Sequence, residues 1–158
     1  MNRYKNGTFR TLAMIVLVLT AGSLLLAQDI PFVGSWTLNV AKSKYMPGPA
    51  PKSSTRTWDA AGMVMVSGVT AAGKTISYGY TIKDDGKEYP TVGGIPNGAD
   101  KISAKKIDAN TYQATFTKAG KEVESTSFKL SNGGKTMTIH AKGKTDAGEF
   151  DNLQVWEK

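Results

Sequence analysis

From about residue 60 onward, turn signals recur about every 11 to 13 residues, and between them apolar and polar side chains alternate. The turns are Ala61-Gly62, Ala72-Gly73, Asp84-Asp85-Gly86, Asp108-Ala109-Asn110, Ala119-Gly120, Asn132-Gly133-Gly134 and Asp146-Ala147-Gly148. Asp-Gly and Asn-Gly favour tight hairpin turns, whose backbone needs positive φ. Successive side chains of a strand point to opposite faces. Ile76, Tyr78, Tyr80 and Ile82 therefore share one face, as do Tyr112, Ala114 and Phe116. Met137, Ile139 and Ala141 stand opposite Thr136, Thr138 and His140. Residues 87–92 read as a short strand carrying Pro90, and the alternation slips near Lys105-Lys106, which predicts a bulge. No stretch after Ala27 has a helical period. A meander of such strands closes easily on itself, whereas a Greek-key sandwich needs long crossovers. The predicted fold is all-β: one antiparallel up-and-down meander barrel of about 8 to 10 strands.

Ahead of this region lies a segment of different character. Residues 1–10 are polar and carry Arg3, Lys5 and Arg10, and residues 11–27 are apolar. A basic head, an apolar run and a small residue before a polar chain are the parts of a secretory signal peptide. The expected organisation is a signal peptide over 1–27, cleaved after Ala27 (Ala21 is the alternative site, and retention as an uncleaved anchor the alternative outcome), and a single barrel domain over 28–158. With 158 residues the chain suits one domain. The expected location is periplasmic or secreted, with no membrane contact beyond the signal peptide. An outer-membrane barrel needs a continuous apolar band facing lipid. The expected outer faces instead read Thr75, Ser77 and Thr81, and Thr111, Gln113, Thr115 and Thr117.

The first strand is predicted over 33–40, with Trp36, Leu38 and Val40 on one face. Trp36 is expected to plug one end of the barrel, its N–H finding a partner. Pro47, Pro49 and Pro51 then forbid helix and discourage paired strand, so residues 41–52 form a stiff loop with Tyr45 and Met46 as apolar handles. That loop is expected to lie over a mouth of the barrel.

Composition closes several routes to chemistry. The chain has no cysteine, which removes disulfides, thiol nucleophiles and thiolate metal sites, and one histidine, His140. His140 falls on the outer face with no acid or nucleophile beside it in sequence. Beyond the N-terminal segment, 17 basic residues face 13 acidic ones, a balance of +4, and the lysines are dispersed. Nucleic-acid binding clusters its charge, so no nucleic-acid partner is expected. Asp84-Asp85-Gly86 supplies too few oxygens for a calcium loop, and Gly93-Gly94 lacks the helix that a phosphate cradle needs. No catalytic residue, metal site or cofactor is expected, and the chain is not expected to be an enzyme.

The Gly34-Ser35-Trp36 strand, the long loop and the hairpin meander together resemble the calycin group of lipocalins, fatty-acid-binding proteins and avidins. The wording Val33 to Lys44, followed by Pro47 to Ser53, and the stretch Asp100 to Tyr112 resemble a set of uncharacterised secreted bacterial proteins. No late Thr-Asp-Tyr-like motif and no C-terminal helix accompany them. The resemblance implies a calycin-type barrel and an apolar ligand, and it supplies no catalytic residues.

The candidate ligand-binding residues are Tyr78, Tyr80, Tyr112, Phe116 and Arg56. The first four share the inward phase, and Met63 and Met65 are expected to make a pliable wall beside them. Small-molecule sites are mostly apolar with a few placed polar groups, which phenols supply. Arg56 and Trp58 share one face of their strand. Facing outward, Arg56 is an ordinary solvated residue, which is the preferred placement. Facing inward, its guanidinium needs an anionic partner or a bound carboxylate. The expected function is an exported lipocalin-like barrel that binds a small apolar ligand. The alternative is a filled barrel whose surface loops engage a protein or glycan. An open or filled interior discriminates between the two.

Overall fold

The computed structural model describes residues 31–158. The expected signal peptide over 1–27 and its cleavage site lie outside the described residues.

The described chain is all-β. Its strands are β1 (Gly34–Leu38), β2 (Ser53–Trp58), β3 (Met63–Val69), β4 (Thr75–Thr81), β5 (Glu88–Pro90), β6 (Val92–Gly93), β7 (Lys101–Asp108), β8 (Thr111–Lys118), β9 (Lys121–Ser131), β10 (Thr136–Thr145) and β11 (Gly148–Glu157). Two single 3₁₀ turns, Val40–Lys42 and Asn132–Gly134, are the only helical pieces among the described residues. All pairings are antiparallel, in the order β5-β7-β8-β9-β10-β11-β1-β2-β3-β4-β6. This is the meander, with β1 slotted between β11 and β2. The first strand thus joins the two halves of the sheet, and the barrel is nearly closed.

The short segment containing β5 and β6 spans the remaining seam. Its first half pairs with β7, Tyr89 opposite Ile102, and its second half with β4, Gly93 opposite Tyr78. The predicted single strand over 87–92 is therefore two strands, which takes the number to eleven, one above the upper end of the roughly 8 to 10 expected. The handover has a local cause. Pro90 has no N–H to donate, Thr91 N–H donates to the Asp100 carbonyl at 2.9 Å, and the chain then leaves β7 for β4. Gly93 makes the crossing with φ of 71°, and a Cβ there would stand 2.6 Å from the Ser77 carbonyl oxygen. Only glycine fits that approach. The predicted bulge is present as a register shift between Lys106 and Asp108.

One end of the barrel is filled by aromatic side chains. Phe32 lies 4.8 Å from Trp58 and 5.2 Å from Tyr112 between ring centroids, and Trp58 stands edge-on to Phe128 at 5.8 Å. Trp36 is 1% exposed, and its indole N–H donates to the Phe32 carbonyl at 2.9 Å. Lys158 caps this end, its ammonium donating to the Pro31 and Val33 carbonyls and lying 4.5 Å from the Trp36 ring centroid. On β3 the phase differs from expectation. Val64 and Val66 point inward, and Met63 and Met65 stand on the outer face, Met65 exposed, so neither methionine forms part of the interior wall. The stretch 63–70 is apolar on both faces, so alternation alone left its inward set undetermined. Branched valines fill the narrow interior beside Trp58 and Tyr80, and Met65 lies outside over Gly79.

Candidate functional site

Above the aromatic plug the interior is open. A cavity of about 360 Å³ occupies the other half of the barrel. Antiparallel alternation builds it in tiers, each inward residue lying one step nearer the mouth than the last. On β2 the order from plug to mouth is Trp58, Arg56, Ser54; on β9 it is Phe128, Thr126, Glu124; on β11 it is Trp156, Gln154, Asn152, Phe150. Tyr80, Tyr78 and Ile76 follow the same order on β4.

The expected proline loop sits over this mouth, where Pro49 and Pro51 line the opening. Its first residues are held like an extra strand against β11. Lys44 and Leu153 exchange backbone hydrogen bonds at 2.7 and 2.8 Å, and Asp151 N–H donates to the Met46 carbonyl at 2.7 Å. Strand-like alternation turns Lys44 and Met46 outward and Tyr45 into the cavity. Burial pushes the Tyr45 hydroxyl pKa up to about 12.

Arg56 forms the cavity floor. It is 4% exposed and points inward, which overturns the preferred outward placement. Trp36 and Val66 are its cross-strand partners, and both are buried. The guanidinium carbon lies 4.7 Å from the Trp156 ring centroid, 5.7 Å from Tyr80 and 5.8 Å from Phe128. Arg56 Nη1 donates to the Tyr80 hydroxyl, and its Nε has no hydrogen-bond partner among the described residues. No described carboxylate comes within 4.0 Å of it, so the charge is held by ring faces and one phenol. Aromatic faces attract a cation, by about 2 kcal/mol in desolvated cases. They do not replace an anion, since moving a charge from water into a protein costs several kcal/mol.

Glu124 is the second charged group on the wall. Asn97 Nδ2 donates to Oε2 at 2.7 Å, and the Thr126 hydroxyl donates to Oε1. Burial nevertheless pushes the Glu124 carboxyl above the usual range, outweighing these hydrogen bonds and the more distant charge of Arg56. The Asn97 contact also ties the loop between β6 and β7 to the mouth, where Ile95 and Pro96 add apolar surface.

Four of the five candidates, Arg56, Tyr78, Tyr80 and Phe116, meet at this cavity. Tyr80 stands edge-on to Phe116 at 5.2 Å and is stacked with Tyr78 at 6.5 Å. Burial raises the pKa of both tyrosines, so the hydroxyls stay neutral at ordinary pH. The fifth candidate, Tyr112, does share the inward phase, but its height along the barrel places it in the plug against Phe32 and Trp58 rather than on the cavity wall. Alternation fixes a residue's face, not its depth. Glu124, Tyr45, Phe128 and Trp156 belong to the cavity and were not among the candidates. Glu124 did carry a signal, because alternation puts it on the face of Thr126, Phe128 and Leu130; Glu122 shares that phase in sequence, and the register shift beside it leaves Glu124 as the carboxylate on the cavity wall.

His140 is on the outer face, where its Nε2 lies 2.6 Å from Asp151 Oδ1, with Lys142 at 2.9 Å from the other oxygen. Among the described residues no group of three or more His, Cys, Asp or Glu side chains could hold a metal ion. No described helix is long and apolar enough to cross a membrane. No protein-family model matches the chain, and no curated protein matches it.

Proposed function

We propose that this barrel is a non-catalytic binding protein for a small, largely apolar molecule held in the interior cavity. The supporting observation is the cavity itself: about 360 Å³, in the usual size range of small-molecule sites, and walled by Tyr45, Tyr78, Tyr80, Phe116 and Trp156. A barrel that served only to display loops gains nothing from an interior its own side chains do not fill, because such a volume forfeits packing between them. A neutral naphthylamine fluorophore is expected to bind with enhanced emission. Phe116→Ala is expected to weaken it about two- to tenfold, matching the roughly 0.5 to 1.5 kcal/mol of one aromatic contact. Lys74→Ala and Lys121→Ala, at exposed hairpin ends, leave binding unchanged. If no fluorophore binds the folded barrel, the loop-interaction alternative takes its place.

Export belongs to the same proposal and rests on residues 1–27 alone. Intact-mass measurement of the protein recovered outside the cytoplasm is expected to show a chain beginning near Gln28. A chain that still begins at Met1 counts against export by a cleaved signal peptide.

A further inference from the structure

We propose that the cavity's ligand is an apolar acid, its carboxylate seated on the Arg56 guanidinium beside the Tyr80 hydroxyl, and that Glu124 sets the pH range in which the acid binds. This rests on the cavity being a binding site and adds the chemistry of its occupant.

Three observations point the same way. Among the described residues Arg56 is the only cationic side chain on the cavity wall, and none of their carboxylates lies within 4.0 Å of it. Its Nη1 is committed to Tyr80 and its Nε is buried without a partner, so the cation lacks the charge-assisted bonds that normally accompany burial. The guanidinium itself sits among rings, Trp156, Phe128, Tyr80 and Phe116, and Ile76 and Phe150 carry apolar surface toward the mouth between the polar Ser54 and Asn152, a wall that suits a largely hydrocarbon body. One guanidinium in an aromatic setting balances one negative charge. A phosphate monoester brings nearly two and meets no second cation there. The volume holds on the order of a dozen non-hydrogen atoms, taking roughly 30 Å³ for each water-sized unit.

Glu124 makes the binding proton-linked. Arg56 on β2 and Tyr78 and Tyr80 on β4 are the titratable groups whose charges Glu124 couples with. Asn97 and Thr126 hold its oxygens, and its ladder neighbours, Phe116 on β8 and Gly143 on β10, carry no charge. Protonated Glu124 leaves Arg56 free to balance the ligand. Ionised Glu124 places a second negative charge in the same cavity and opposes it. An acid whose pKa is raised is neutral below that value and ionised above it. Affinity for a ligand that is already ionised therefore falls as pH rises through the raised pKa of Glu124.

The test titrates the folded barrel with decanoate, decan-1-ol and decyl phosphate, by calorimetry and by displacement of the neutral fluorophore, over a series of pH values from about 5.5 to about 9. Decanoate is expected to bind at least about tenfold more tightly than decanol at the low end of the series, a difference of about 1.4 kcal/mol, and to weaken toward the high end. Glu124→Gln is expected to keep tight decanoate binding and to lose its pH dependence. Arg56→Met is expected to lose the preference for decanoate over decanol. Equal affinity of the unaltered protein for decanoate and decanol would overturn the proposal without needing any variant to fold. So would a decanoate preference that survives Arg56→Met. Tighter binding of decyl phosphate than decanoate overturns the carboxylate assignment, and pH dependence unchanged in Glu124→Gln overturns the role of Glu124. Fluorophore binding without a decanoate preference sinks this inference and leaves the cavity site standing; if neither binds, both fall.

Discussion

Trp36→Ala is expected to destabilise the barrel by about 3 to 5 kcal/mol, the range for removing a large aromatic from a packed interior. Trp36 is almost wholly buried on the strand that joins β11 to β2. Three losses coincide in the substitution. The plug loses a ring beside Phe32 and Leu38, and the Phe32 carbonyl loses its indole donor. The Lys158 ammonium loses the ring face it covers. The damage falls on the one strand whose pairings hold the two halves of the sheet together, so collapse of the space by local shifts is limited. Denaturant unfolding of the two proteins, compared at equal slope, gives the value. A loss below about 1 kcal/mol would mean that the plug repacks around the missing ring and that closure of this end does not depend on Trp36.

Arg56→Met is expected to act in the opposite direction, stabilising the unliganded barrel by about 1 to 4 kcal/mol. Methionine is unbranched and adaptable, so it can follow the arginine stem between Trp156, Phe128 and Tyr80 without a large void. What it removes is a buried charge with no anionic partner and an unsatisfied Nε. The cation–ring attraction is lost as well, but about 2 kcal/mol offsets only part of a desolvation cost of several. The Tyr80 hydroxyl gives up the donor it now accepts from, and the open cavity beside it can supply water in exchange. Thermal and denaturant unfolding without added ligand measure the outcome. A loss of more than about 1 kcal/mol would show that the rings and the phenol satisfy Arg56 fully, and that its burial is structural.

The two substitutions separate the halves of one interior. The plug end is packed for stability, with indole and phenyl rings meeting at 4.8 to 5.9 Å and a hydrogen bond for the buried indole of Trp36. The cavity end carries a charge and open volume, both of which cost stability. A protein that keeps a destabilised group where a ligand could reach it trades stability for function, a trade common at functional sites.

Strand positions, the turns and the inward phase of β4, β8 and β10 were legible in the sequence, because side-chain direction in a strand has a period of two and tight turns need glycine, asparagine or aspartate. The bulge near Lys106 and the long loop over a mouth were legible for similarly local reasons. Period two says nothing about β3, where Met63, Val64, Met65 and Val66 are apolar on both faces. Nor does it say how far along the barrel axis an inward residue lies. That height follows from the register between strands, which placed Tyr112 in the plug and Phe116 in the cavity although they share one face of one strand. The inward direction of Arg56 was likewise a tertiary matter. Polar Ser53, Thr55 and Thr57 stand on the other face of β2, so the pattern put Arg56 with Trp58; ordinary expectations for a guanidinium put it in water. The barrel resolved the conflict in favour of the pattern, because closing the sheet turns one side of every strand toward the interior. Register and closure join residues far apart in the chain, and so they alone brought Arg56, Tyr80 and Glu124 to one cavity.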